Sequence, residues 1–142
     1  MRLSEKALAF ARVKHEGQVD KAGAPYINHP IAVAAQLEGE EEKAAAYLHD
    51  VMEDCGVSAD ELREEGFSDE LINTLILLTH RKEVPYLDYV RALAHDSLAR
   101  AVKMADLRHN MDMSRIPKPS ERDFKRLERY KRAYALLMST EE

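Results

Sequence analysis

Apolar residues recur every three or four positions along most of this chain, between short breaks marked by glycine, proline or serine. From Ser4 to His15, the residues Ala7, Phe10, Ala11 and Lys14 fall on neighbouring turns, the spacing of an amphipathic helix. Gly17, Gly23 and Pro25 mark a loop from Gly17 to Asn28, and Pro30 suits the first turn of a short helix that runs to Glu38 and stops at Gly39. Residues 40–55 read as one helix with Ala44, Ala45 and Leu48 turned inward. Ser58 with Glu61 forms a capping-box pair that opens a short helix ending at Gly66. Ser68 caps the next, where Leu71, Ile72, Leu75, Ile76 and Leu78 make a wide apolar stripe and predict a central core helix. Pro85 opens a helix to Ala94, Asp96 caps a long one to Met113, and Pro117 and Pro119 break the chain before a last helix from Glu121 to Met138.

Alternating strand patterns are absent, and Ala, Leu, Glu, Lys and Arg fill the segments between breaks. The pattern therefore predicts an all-α bundle of about seven or eight helices. At 142 residues the chain has the length of one domain, spanning 1–142.

Charge narrows the choice of partners. The formal net charge is −5 and the basic residues are scattered, so a nucleic-acid polymer would meet net repulsion, whereas a small phosphorylated ligand needs only a local pocket of cations. Cys55 is the only cysteine, which excludes an intrachain disulfide and suits a reducing cytoplasm. The start, Met1 to Lys6, lacks the apolar stretch of a signal peptide, and Leu75 to Leu78 falls far short of the roughly 20 apolar residues of a membrane span. A cytoplasmic protein without membrane contact is expected; oligomeric state is not legible.

The chemistry starts at His49-Asp50-Val51-Met52-Glu53-Asp54. On a helix, Glu53 lies one turn from His49 and Asp54 one turn from Asp50, so three carboxylates and an imidazole form two adjacent columns. Such a cluster calls for positive charge, and a divalent cation supplies it. A His-Asp pair alone is commonplace and most charged columns are solvated faces. Two further features add weight: Pro25-Tyr26-Ile27-Asn28-His29-Pro30 fixes a histidine at the mouth of a helix, and Asp106 interrupts the helical pattern of Lys103 to Met111.

Taken together and in order, His15-Glu16-Gly17-Gln18, the block ending His29-Pro30, Leu48 to Asp54, Lys103-Met104-Ala105-Asp106, Asn110 and Tyr130 resemble the HD-domain hydrolases of the RelA/SpoT type in their small, single-domain form. The resemblance covers nearly the whole chain and implies removal of pyrophosphate from the alarmones ppGpp and pppGpp. It also implies that His29, His49, Asp50 and Asp106 bind one divalent metal, usually manganese, and that Glu53 and Asp54 serve the attacking water. Two imidazoles and two carboxylates suit Mn²⁺, Fe²⁺, Co²⁺ or Zn²⁺ better than Mg²⁺ and leave positions for water and a phosphate oxygen. Which of Glu53 and Asp54 is the base stays open.

By the same resemblance Lys21, Asn110 and Tyr130 contact the nucleotide; on their own residue types, Tyr130 could equally pack between helices and Lys21 could be a solvated loop residue. The departures fall on the substrate side. Asp20 stands where relatives commonly carry an arginine able to stack on guanine, Ala22 replaces a frequent serine and Met113 a polar residue. Another nucleotide bearing a 2′- or 3′-phosphate, such as NADPH, is thus an alternative substrate, and a non-catalytic alarmone- or metal-binding sensor is an alternative role. His15 and His109 lie beside motif blocks and could orient ligands or contact phosphate, but a histidine packed or capped within a helix is the commoner case; His80 and His95 read as structural, Cys55 as an inert thiol without a histidine partner, and Arg122, Arg126 and Arg129 as mostly solvent-facing.

Overall fold

A computed structural model describes residues 1–140. Within them the chain forms α1 (Leu3–Lys14), α2 (Asn28–Ala35), α3 (Glu40–Leu48), α4 (Val51–Cys55), α5 (Ala59–Glu64), α6 (Asp69–Leu77), α7 (Tyr86–Leu93), α8 (Ser97–Asn110), a 3-10 turn (Met113–Arg115) and α9 (Glu121–Ser139). No β-strand occurs among the described residues, in keeping with the all-α expectation. No helix among them is long and apolar enough to cross a membrane.

The caps fall where side-chain chemistry places them. Ser58, Ser68, Asp96 and Ser120 each accept a backbone N–H from the first turn of α5, α6, α8 and α9. Gly39 does not stop α2, which has already ended at Ala35; it is the residue that opens α3, its N–H donating to Glu42 Oε1 at 3.2 Å.

The helix expected over residues 40–55 is divided into α3 and α4 at His49 and Asp50. The His49 ring Nδ1 and the His49 backbone N–H both turn to the Ala46 carbonyl, at 2.6 and 3.4 Å. An unbroken helix would offer that carbonyl to the Asp50 N–H. Asp54 N–H still reaches Asp50 C=O at 2.9 Å, so the one-turn relation between Asp50 and Asp54 survives the break. Gly56, at φ 68°, then ends α4 in a left-handed conformation that a side chain would oppose.

The core is one continuous cluster of apolar side chains. Its centre is α3, with Ala44, Ala45, Ala46 and Leu48 all buried and α1, α2, α6 and α8 packed around it. The alanine run lets those helices approach closely, because interaxial distance follows side-chain size at the contact. In α6, Leu71, Ile72 and Leu75 are buried while Ile76 is 47% exposed, so the stripe is narrower than its sequence suggests and α6 flanks the centre instead of occupying it.

Candidate functional site

A cleft of about 470 Å³ opens between the loop that precedes α2 and the segment running from α8 into α9. Its floor gathers side chains from three distant stretches: His29 from the first turn of α2, His49 and Asp50 from the α3–α4 break, and Asp106 from α8. His29, His49 and Asp106 are buried and Asp50 is half-buried. Donor atoms of His29, His49 and Asp50 all lie within 4.8 Å of one another. Asp106 Oδ1 is 2.7 Å from His29 Nε2 and 3.3 Å from His49 Nε2. The structure thus brings together all four residues expected to hold a metal.

The chemistry of this set fits a cation. His49 Nδ1 is committed to the Ala46 carbonyl, which turns Nε2 toward the carboxylates. There Nε2 lies 3.1 Å from Asp50 Oδ2 and 3.3 Å from Asp106 Oδ1 but is aligned with neither, leaving a buried ring nitrogen without a hydrogen-bond partner. A buried polar atom of this kind wants a ligand. Burial would push both aspartates up, but neighbouring positive charge prevails. The His49 imidazole holds Asp50 at about 2, while Lys103 and the two imidazoles hold Asp106 well below the usual carboxylate range. His49 in turn is driven up by the two carboxylates against the opposing effect of burial. A divalent ion placed among these groups would meet the charge of both carboxylates.

Three supporting residues stand behind the floor, of which Tyr26 and Lys103 escaped the sequence reading and His109 was weighed there only as the lesser alternative. The Tyr26 hydroxyl donates to Asp50 Oδ2. Lys103 Nζ, buried over the rings of Tyr86 and Tyr89, lies 2.9 Å from Asp106 Oδ2. His109 places Nδ1 2.7 Å from His29 Nδ1. Tyr26 and Lys103 both sit inside blocks singled out from sequence, and the three-residue spacing of Lys103 from Asp106 was the available signal; His109 lies only three residues beyond Asp106.

Glu53 and Asp54 project from α4 at the edge of the cleft, both exposed. Glu53 Oε1 accepts the His80 N–H at 2.9 Å. Partial desolvation, with the charges of Asp50 and Glu53 beside it, pushes Asp54 up to about 6.

Lys21, Asn110 and Tyr130 all line the cleft. Lys21 Nζ lies 3.2 Å from Asp123 Oδ1, and Tyr130 sits beside Tyr86 with ring centroids 6.3 Å apart. Asn110 Nδ2 donates to Asp106 Oδ1 at 3.2 Å, so this side chain is engaged with the floor of the cleft. Asp20 is occupied in shaping the loop. Its Oδ1 accepts from the N–H groups of Ala22 and Ala24 at 2.9 and 3.0 Å, and its Oδ2 lies 3.5 Å from Arg115 Nη1. Met113 is not among the residues lining the cleft.

Other sequence expectations need correction. Of the three arginines expected to be mostly solvent-facing, Arg122 and Arg129 are exposed, the Arg129 guanidinium lying 4.8 Å from the Tyr86 ring centroid, while Arg126 lines the cleft. Cys55 does have a histidine neighbour, with Sγ 3.4 Å from His15 Nδ1, yet burial pushes the thiol up, which keeps it unreactive.

A family model described as an HD domain matches residues 7–127. The chain belongs to the HD-domain family. An HD domain implies a divalent metal, and His29, His49 and Asp50 form the candidate site for it in this one. The HD domain is 35% identical over 127 residues to a Haemophilus influenzae protein named guanosine-3′,5′-bis(diphosphate) 3′-pyrophosphohydrolase, covering 80% of this chain and 19% of that protein. It is 32% identical over 130 residues to a probable GTP pyrophosphokinase of Mycobacterium leprae, covering 82% and 16%. It is 30% identical over 132 residues to the bifunctional (p)ppGpp synthase/hydrolase SpoT of Escherichia coli, covering 82% and 19%. The chain therefore spans less than a fifth of the length of these relatives. Among solved structures, a metazoan ortholog of SpoT described as hydrolysing ppGpp shares the fold with a TM-score of 0.76 at 21% identity, over 98% of this chain and 86% of that one.

Proposed function

We propose that residues 1–142 form one HD domain that removes the 3′-pyrophosphate of ppGpp or pppGpp by metal-dependent hydrolysis. The supporting observation is a cleft with two electrostatic poles. Its floor of imidazoles and carboxylates suits a divalent cation, while Lys21, Arg115 and Arg126 at the mouth suit phosphate anions. Relatives named for ppGpp hydrolysis point to the same substrate class.

In this reading His29, His49, Asp50 and Asp106 hold the metal, manganese first, with iron, cobalt or zinc also suited to the donor set. Bound there, the ion lowers the pKa of a water and offsets charge on the phosphoryl group. Lys103 keeps Asp106 ionised and occupies Oδ2, which leaves Oδ1 to face the imidazoles. Tyr26 orients the Asp50 carboxylate differently, donating to Oδ2, the same oxygen that faces His49 Nε2. Asp54 is the better-suited base: it lines the cleft one turn from Asp50, with partial burial pushing its carboxyl up, whereas Glu53 is tied to the His80 N–H. Water adds to phosphorus as Asp54 takes its proton, the bond from phosphorus to the 3′-oxygen breaks, and that proton returns to the leaving 3′-oxygen, so that the products are pyrophosphate and a nucleotide with a free 3′-hydroxyl. Lys21, Asn110 and Tyr130 are the proposed nucleotide contacts.

Asp20 in the cleft favours a second reading, in which another nucleotide with a 2′- or 3′-phosphate is the substrate. Pyrophosphate and phosphate release from the purified Mn²⁺-supplemented protein over ppGpp, NADPH and common nucleotides separates the two; turnover of another nucleotide without ppGpp would establish the second. A Glu53→Ala, Asp54→Ala double variant is expected to bind Mn²⁺ and lose turnover by about 10²-fold or more. If the wild type binds nucleotide but hydrolyses none, the domain is a sensor.

A further inference from the structure

Two histidines face the candidate metal position, and their second ring nitrogens are held by different devices. His49 gives Nδ1 to the Ala46 carbonyl at 2.6 Å, a backbone group of the preceding turn that no side-chain substitution removes. His29 has no such carbonyl. Its Nδ1 lies 2.7 Å from Nδ1 of His109, with the two rings tilted by 31° and their centroids 4.9 Å apart. His109 sits on α8, three residues beyond Asp106, so one rigid helix carries a carboxylate of the floor and the partner of an imidazole opposite it.

An imidazole can ligate through Nε2 only if that nitrogen keeps its lone pair, which puts the ring proton on Nδ1 and requires an acceptor there. His29 Nε2 is the nitrogen that faces the floor, 2.7 Å from Asp106 Oδ1 and 4.0 Å from Asp50 Oδ2. The atom placed to receive the Nδ1 proton is His109 Nδ1, a side-chain nitrogen supplied by a different helix. We propose that His109 is a positioning residue: it accepts the His29 Nδ1–H, fixes the tautomer and ring orientation of His29, and thereby sets the affinity of the cleft for its divalent ion. This rests on the metal-binding reading of the cleft and is independent of which nucleotide is hydrolysed.

The test is direct Mn²⁺ binding to the metal-stripped full chain by calorimetry, alongside thermal melts of each metal-free protein. His109→Ala and His109→Phe are expected to weaken Mn²⁺ binding by about 10- to 100-fold. His109→Gln, which offers an amide oxygen of comparable reach, is expected to restore most of that loss although it resembles phenylalanine no better than histidine in shape. Mn²⁺ affinity unchanged in His109→Ala, or equally weak in the Gln and Phe variants with all melts intact, would overturn the role of His109 while leaving the metal site standing. A wild type that binds no Mn²⁺ would overturn the metal reading itself and the inference with it.

Discussion

Lys103 keeps its ammonium group in the interior because Asp106 Oδ2 lies 2.9 Å away and the faces of Tyr86 and Tyr89 enclose it. Burial alone would neutralise the lysine, yet the Asp106 charge drives it well above its ordinary value, and Asp106 moves the opposite way. Removing one member of such a pair leaves a buried charge uncompensated. Lys103→Met should therefore lower the unfolding free energy of the metal-free protein by about 3–5 kcal/mol in urea titration. Saturating Mn²⁺ should recover part of the loss, since a cation beside Asp106 replaces the missing charge. An unchanged denaturation midpoint would show that the imidazoles already balance Asp106. The floor residues His29, His49, Asp50 and Asp106 were named from sequence because they sit in motif blocks that together, and in order, resemble a known family. Lys103 and Tyr26 were not, because a lysine at i,i+3 or a loop tyrosine has the same sequence appearance whether it faces water or a carboxylate; for His109 the sequence offered a ligand-orienting role beside a structural one and could not choose between them.

Among the elements, the contact between the starts of α1 and α3 shows how a surface carboxylate can tie two helices. Glu40 accepts the Ser4 N–H and the Ser4 hydroxyl, each at 3.0 Å, through its two oxygens. These bonds, first the backbone one and then the hydroxyl, hold Glu40 below the ordinary glutamate value. A carboxylate depressed in the folded state adds stability that is fully present above its unfolded pKa, about 4.3, and is lost as pH falls through the lower folded value. Glu40→Gln should accordingly melt below the wild type at pH 7, with the gap closing as pH falls below about 4. A gap constant across that range would assign the effect to packing. The helix starts at Ser58, Ser68, Asp96 and Ser120 were readable because capping is local chemistry. The break at His49 was not: every residue from Glu40 to Cys55 suits a helix, and only the His49 ring turning back to Ala46 divides it.

At the scale of the molecule, the proposed metal site is assembled only when α2, the α3–α4 break and α8 are packed together, so an ion bound there is expected to stabilise the whole fold. Free Mn²⁺ at about 100 times its dissociation constant should add about 2.7 kcal/mol and raise the melting temperature by several degrees. Asp106→Ala should bind no metal and show no such rise; a rise of the same size in that variant would place the ion elsewhere. Sequence by itself determined the all-α class, most helix boundaries and the acidic balance that disfavours nucleic-acid polymers, because periodicity, capping and residue chemistry act over a few neighbours along the chain; the four residues of the floor were named through the family resemblance of the motif blocks that carry them. Tertiary structure alone decided that α3 and not α6 is the centre of the core, that Asp20 is spent on its loop and on Arg115, and that Arg126 lines the cleft. It also decided which nitrogen of each histidine faces the metal position, since that depends on partners far away in sequence: His109 is 80 residues from His29, and only the packing of α8 against α2 brings the two rings to 2.7 Å.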